Sequence, residues 1–490
     1  MKNFKGILNI LIKHRNRVYI FLFINYILFF LIKTSKIGFF EFTSNKKVPL
    51  LVYLFLAFQS FFVKKPLFII IVTVFFISML LALDWIICYY ISKLLEFLMK
   101  NNKFQNNIGF IKSEYFVILF LLIFSAVIRF KFLNAGLYHH DSFQTAVAVE
   151  KTVNEYHLYG IGGGRQGVVA VNSIFFFFFK TFFGHETAEF TVNFTSALFG
   201  TLSIFVLYSL IKNLFNVQFI AFSSAILYSV TPVFLSVSTF AKEHTLDVFL
   251  ALLSMLLLVI GLKRINYIFV LLSGIILSLL IFVRFPSILI IFGMVFLIYK
   301  SKNPNIKKTR AFLFILVPFI ILIADYVLLS SDVIAKEAKS NFYPLSLENL
   351  DFLFNNFKYS VSGIIFSLTI IGFLLSLAGL ALLAKDSIHL FYFLILFFIP
   401  LYIFYTASNT IAHRFFALPI ITLVISLSYA LYNIRKIDSY AGTLILILLA
   451  IVFFLNIYPV IKFRHEFSAF KELAVMVNSN ANPKDSVVVL

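Results

Sequence analysis

The chain has 490 residues, of which 61% are apolar and only 13% charged, and phenylalanine alone fills 67 positions. No water-soluble fold can hide that much hydrocarbon, so the solvent of this protein is lipid. Its formal charge of +20 sits in short Lys and Arg clusters between apolar runs, which fits orientation and lipid headgroup contact and argues against nucleic acid as a partner.

A span needs roughly 17 to 25 apolar residues, because each helical residue rises about 1.5 Å through a core about 30 Å thick. The runs are continuous and lack the alternation of barrel strands, so they predict helices and an all-α polytopic membrane fold. Fifteen candidates fall near 18–32, 48–63, 66–91, 115–133, 168–183, 189–211, 217–235, 247–262, 265–283, 286–300, 311–330, 360–384, 388–405, 413–432 and 440–460. They divide the chain into a hydrophobic extension of two to four spans over 1–114, a core over 115–460 and an extracytoplasmic tail over 461–490.

The start, Met1 to Arg17, is basic and amphipathic with no small-residue cleavage site after the first apolar run, and reads as an anchor. A cytoplasmic start demands an even number of crossings before residue 92, and three are counted. Cys88, the only cysteine, lies inside an apolar run, which excludes internal disulfides and cysteine-based zinc sites. Long connections occur at Lys93 to Glu114, Leu133 to Gly167 and Ser331 to Lys358. The tail from Phe463 reads as a short amphipathic helix, a turn at Asn482-Pro483-Lys484-Asp485 and a strand over Ser486 to Leu490, the possible start of a soluble domain.

Lys263-Arg264, the cations from Lys300 to Arg310, and Arg435-Lys436 are separated by even numbers of spans, so all three can face the cytoplasm. For the loops at Leu133 to Gly167 and Ser236 to Leu246 both to face outside, one of 168–183 and 189–211 must not cross. The choice falls on 168–183, whose run Phe175 to Phe179 suits a helix lying in or dipping into the outer interface. An ordinary span with reversed orientation downstream is the competing reading. Arg129 and Lys131, at an outer end, run against the positive-inside rule and read as attraction for an anionic lipid.

Three polar clusters can carry chemistry. The first is Leu137-Tyr138-His139-His140-Asp141-Ser142, followed by Glu150, Glu155, His157 and Arg165. An acid directly after a span is partly desolvated, which raises its pKa and suits it to act as a base, while paired histidines can place an acceptor or a divalent ion. The alternative is a solvated loop with Asp141 as N-cap of a helix running to Val153. The second cluster runs from Ser238 to Asp247 and includes Lys242-Glu243-His244. Glu243 and Asp247, four apart, share a helix face; Asp247 enters the apolar run, where an ionisable group is a functional hypothesis. Their alternative reading is a favourable placement at a helix N-terminus. The third, Ser408 to Pro419, offers His413 and Arg414, the arginine suited to phosphate or serving as an interfacial anchor. Asp84 and Asp325 lie inside apolar runs as site residues or hydrogen-bonded bundle groups. Gly160 to Gly167 lacks both phosphate-loop and Rossmann spacing, and neither His-Glu-x-x-His nor Asp-x-Asp occurs.

Taken in order, these residues resemble the GT-C superfamily of membrane glycosyltransferases, in its dolichyl-phosphate-mannose protein mannosyltransferase and aminoarabinose transferase branch. The likeness covers roughly 112–490. His140-Asp141-Ser142 looks like the Asp-Glu motif, with Ser142 in place of the second acid. Phe182-Phe183-Gly184 through Gly200 is similar to the stretch leading into the second span, with Asn193 where Arg is usual. Thr231-Pro232 and Ala241-Lys242-Glu243 resemble the proline and Arg-Glu pattern, and His413-Arg414-Phe415 with Pro419 the His-Arg-Tyr and proline pattern. The resemblance implies a GT-C-like helical bundle with interfacial helices in its first large outer loop. It also implies transfer of a sugar, with inversion, from a polyprenyl-phosphate donor to a lipid, glycan or protein acceptor at the outer face of the cell membrane.

On that reading Asp141 is the base, with Glu243 and Asp247 catalytic beside it. Lys242, Arg414 and His413 hold the donor phosphate; His139, His140 and Arg165 position substrate. A divalent cation at Asp141 and His140 is an option that nothing in the sequence requires. The competing class is a non-catalytic flippase or transporter of lipid-linked saccharides, which predicts ionisable groups spread through the bundle and internal repeats. Neither is visible. An oligosaccharyltransferase is a third reading, but its Trp-Trp-Asp-Tyr-Gly signature is absent and Trp85 is the only tryptophan.

Overall fold

The computed structural model describes residues 114–134, 136–137, 139–155, 159, 165–301, 306–320, 350–408 and 412–466. The expectations for the N-terminal extension, Asp84, Cys88, His157, Asp325, and the turn and strand of the tail lie outside them. So do Tyr138 and most of the glycine-rich run. The chain divides into two compact units, and the helices below, apart from the last two residues of α2, belong to the one formed by 107–153 and 158–490.

Among the described residues every regular element is helical. In chain order they are α1 (Glu114–Lys131), α2 (His140–Glu155), α3 (Gln166–Phe183), α4 (Glu189–Phe215), α5 (Gln218–Val230), α6 (Pro232–Ser238), α7 (His244–Arg264) and α8 (Tyr267–Val283). A 3-10 turn over Phe285–Ile290 leads into α9 (Ile291–Tyr299), and α10 (Leu350–Asp386), α11 (Ile388–Thr406), a second 3-10 turn (His413–Ala417), α12 (Ile420–Ile437) and α13 (Ser439–Glu466) complete the set. Residues 308–320 are helical as well. Seven of these helices are long and apolar enough to cross a membrane, and an eighth crossing is possible through the bent pair α5 and α6. This is an integral, multi-pass membrane protein.

From His244 to Leu262 the mainly apolar helix α7 is buried on every side, the pattern of a helix enclosed by others. Ser254 on α7 and Ser273 on α8 each donate to the other's carbonyl, at 2.9 and 2.7 Å, which seals a helix pair that hydrophobicity alone does not hold in lipid. By contrast α10, α11 and α13 leave much of their apolar surface exposed, at Ile370, Ile371, Leu374, Ile403, Leu444 and Leu455 among others. Gly379 lets α10 meet α12, since a Cβ there would collide with the Ser426 carbonyl oxygen.

The expected span 217–235 is broken. Pro232 has no N–H and opens α6 at 62° to α5. Tyr228 stacks on Phe234 across the break at 4.2 Å, and its hydroxyl donates to Ala417 O at 2.5 Å. The break also takes Arg129, which is completely buried and does not face lipid as the sequence suggested. Its guanidinium donates to Ser229 O and Oγ at 3.2 Å and to Ser125 Oγ at 2.6 Å, over the Phe234 ring. Gly200 makes room for it, because a Cβ there would meet Arg129 Nε at 2.9 Å. Lys131 stays exposed.

Other boundaries move as well. The run 286–300 is not one helix, since Pro286 sets a 3-10 turn before α9. The last helix does not stop at 460; α13 runs on to Glu466, and the amphipathic helix expected from Phe463 begins as its continuation. α3 is divided along its length, Gly167 to Ser173 buried and Phe178, Phe182 and Phe183 exposed, so its aromatic end leaves the bundle. At the end of the bundle away from the loops carrying Asp141 and Lys242, cations lie over rings: Arg310 over Tyr267 at 4.6 Å, Arg435 over Phe219 at 4.4 Å and Lys436 over Tyr432 at 4.4 Å.

Candidate active site

Asp141 opens α2 without capping it. Its own backbone N–H donates to the ring of His139 at 3.1 Å, which leaves the carboxylate free to turn toward the bundle. There Lys242 Nζ donates to Asp141 Oδ2 and lies 3.1 Å from His139 Nδ1. Arg165, just before α3, joins two carboxylates with one nitrogen, 3.5 Å from Asp141 and 3.4 Å from Glu243. Glu243 sits at the N-cap of α7, yet makes no capping bond there; its partners are Arg165 and, at 3.9 Å, His244. Both carboxylates thus stand at a helix N-terminus, as the alternative reading of the sequence had it, but they turn to cations from other loops.

Two loops are tied so that this happens. Asn193 on α4 donates to Gly136 O at 3.1 Å and accepts from the N–H of Ala241 at 2.8 Å, joining the chain before Asp141 to the chain before Lys242. Ser142 donates to Ala241 O at 2.5 Å, and Ser196 accepts from the Lys242 N–H at 3.1 Å. Ser142 and Asn193 both bond the loop that carries Lys242.

Burial pushes the Asp141 carboxyl up, but the hydrogen bond and charge of Lys242, with Arg165 and His139, outweigh it and hold the group below the ordinary value. This corrects the expectation that desolvation raises it. Glu243 is likewise pushed up by burial, then held well below the usual range by Arg165, His244, Lys242 and Arg284. Burial lowers Lys242 against the pull of Glu243 and Asp141. Burial and then the Lys242 charge lower His139, which is consistent with a neutral ring that accepts at Nδ1.

Arg414, on the second 3-10 turn, faces the same cluster; Glu243 and Asp141 are the carboxylates that act on it most. Arg284 was not singled out in the sequence. It donates to His244 Nδ1 and lies over Phe415 at 4.5 Å and Tyr405 at 4.9 Å, a cation held by two rings. Its signal was visible, a lone charge between the apolar runs 265–283 and 286–300 on the side of the other polar loops. Asp247 is 2% exposed and accepts from Ser287 Oγ at 2.7 Å, so it ties α7 to the turn that carries Arg284. Two predicted residues do not join. His413 packs its ring against Tyr359 at 4.4 Å and on Gly363 of α10, and burial lowers its pKa. His140 is exposed and pairs with Gln144 at 2.9 Å.

Four cations, Arg165, Lys242, Arg284 and Arg414, thus surround three carboxylates, Asp141, Glu243 and Asp247. As arranged, these side chains do not form a set for a divalent cation: Asp141 is taken by cationic partners, and among the described residues no three His, Cys, Asp or Glu side chains gather to hold an ion. The arrangement suits an anion.

In fold the helical bundle is GT-C-like. A family profile for dolichyl-phosphate-mannose-protein mannosyltransferase matches residues 172–327, less than half of the chain. The structure is similar to that of ArnT from Cupriavidus metallidurans bound to undecaprenyl phosphate, with a TM-score of 0.50 and 12% identity over 65% of this chain and 61% of that one. It is also similar to an Archaeoglobus fulgidus oligosaccharyltransferase tethered with an acceptor peptide, with a TM-score of 0.49 and 14% identity over 76% of this chain and 58% of that one. AglB from the same organism, in complex with an inhibitory peptide and a dolichol-phosphate, gives 0.46 and 15% over 76% and 59%. The chain therefore spans between 58% and 61% of the length of these solved chains, and at such identities the likeness is one of fold. No curated protein matches the chain.

Proposed function

We propose that this protein is a glycosyltransferase that moves a sugar from a polyprenyl-phosphate donor to a lipid, glycan or protein acceptor, with inversion, at the non-cytoplasmic face of the membrane. The observation that carries the reading is the single connected cluster Asp141, Lys242, Glu243 and Arg165, assembled from three separate loops at one end of a lipid-exposed bundle. The cations of the wider set suit the negative charge of a sugar phosphodiester. The basic, ring-stacked opposite end fits the cytoplasmic leaflet.

In the proposed reaction the acceptor hydroxyl forms a bond to the anomeric carbon as the bond from that carbon to the donor phosphate oxygen breaks. The acceptor proton passes to Asp141, and the negative charge left on the polyprenyl phosphate falls to Lys242, Arg165 and Arg414. Donor binding and base strength are then linked, because a phosphate that draws Lys242 from Asp141 removes the bond that makes this carboxylate a weak base. Burial, left unopposed, raises it.

The test is Asp141→Asn in purified protein supplied with radiolabelled polyprenyl-phosphate sugars. Transfer is expected to fall by roughly 100-fold or more while the protein stays folded in the membrane. Undiminished transfer would rule out Asp141 as the base. Donor movement across the bilayer without any transfer would favour the carrier reading.

A further inference from the structure

Away from the charged cluster, a cavity of about 450 Å³ opens between the ends of α1 and α13. Its wall is aromatic, from Phe132, Phe454 and Tyr458, with Phe132 set edge-on to Tyr458 at 5.7 Å. Its rim is Lys131, Lys462 and His465, with Glu466 as the one acid. Lys131 is exposed and lies over the Phe132 ring at 5.6 Å. Lys462 has Glu466 at 3.9 Å, an exposed pair that solvent screens. Both ammonium groups are open to an anion.

The two helices grade in the same direction. Along α13, Phe454 and Tyr458 precede Lys462 by two turns and one, and along α1 Val127 and Ile128, also in the lining, precede Lys131 by about one turn. The cavity thus passes from hydrocarbon to cation as the helices leave the bundle, the profile of an amphiphile with an anionic head and an apolar tail. We propose that this groove binds one anionic phospholipid, its phosphate between Lys131 and Lys462 and an acyl chain along Phe132, Phe454 and Tyr458.

The groove adjoins a clamp. His465 bonds Leu133 O at 2.7 Å, Arg464 donates to Ser236 Oγ at 2.8 Å, and the Arg464 guanidinium lies over Phe240 at 4.8 Å. Leu133 and Phe240 stand on the chain segments that lead to Asp141 and Lys242. A lipid seated here braces both.

The experiment uses the full chain in detergent with Tyr458→Trp as a reporter, the Trp85 background being subtracted with the unsubstituted protein. Dibrominated phosphatidylglycerol is expected to quench at about tenfold lower concentration than dibrominated phosphatidylcholine. Lys131→Gln with Lys462→Gln is expected to erase that difference, and millimolar inorganic phosphate to leave it intact. Equal quenching by the two lipids, or a preference that survives the double substitution, overturns the proposal. Full relief by inorganic phosphate overturns it too, since the site would then belong to a soluble anion. Phe454→Trp repeats the reading should the first reporter disturb the fold.

Discussion

The two ends of the bundle use their cations in opposite ways. At one end Arg165, Lys242 and Arg284 are drawn inward onto carboxylates, a histidine and stacked rings, and Lys242 is buried. At the other, Arg310, Arg435 and Lys436 lie over tyrosine and phenylalanine rings with no carboxylate partner needed. The difference teaches that a positive charge at a membrane surface orients the protein, whereas one brought out of water onto an anion is poised for exchange with a substrate.

Lys242→Met is expected to break this contrast most severely. It leaves Asp141 partly desolvated without its main partner, and transfer should fall by about 100-fold or more in a radiolabelled donor assay. The pH profile adds a sign. In the wild type the lowered Asp141 places the acid limb below the ordinary carboxylate range, and removing Lys242 leaves burial, which moves that limb to higher pH. A profile that does not move would separate Asp141 from the limb.

Asn193→Ala ranks next. It deprives Gly136 O and the Ala241 N–H of their shared partner, costing about 1 to 3 kcal/mol in thermal unfolding and reducing transfer by loosening both loops. Arg435→Gln, at the ring-stacked end, should change stability by no more than about 0.5 kcal/mol and leave transfer within about twofold. An effect on transfer equal to that of Lys242→Met would erase the distinction between the ends.

Much of this was legible in the chain. The continuous apolar runs marked the helices, and the order of the Asp141, Lys242-Glu243 and Arg414 clusters marked the residues that the fold gathers into the candidate site. Pairing was not legible, because hydrophobic period carries no information on which loop meets which. Asp141 and Glu243 do stand at helix N-termini, as the local reading had it, and only the arrival of Lys242 and Arg165 from distant positions joins their carboxylates in one cluster. His413 and Arg414 are neighbours in sequence, yet the 3-10 turn sends one ring onto α10 and the other side chain toward Glu243. Arg129 looked like a surface anomaly because the kink at Pro232, which offers it the Ser229 carbonyl, joins residues 100 apart.

The most direct test is a double-mutant cycle on sugar transfer with Asp141→Asn, Lys242→Met and the pair together. If the carboxylate and the ammonium act as one unit, the double variant is expected to be about as impaired as the worse single one. Losses that multiply would mean the two residues serve separate purposes, and the coupled site described above would be contradicted.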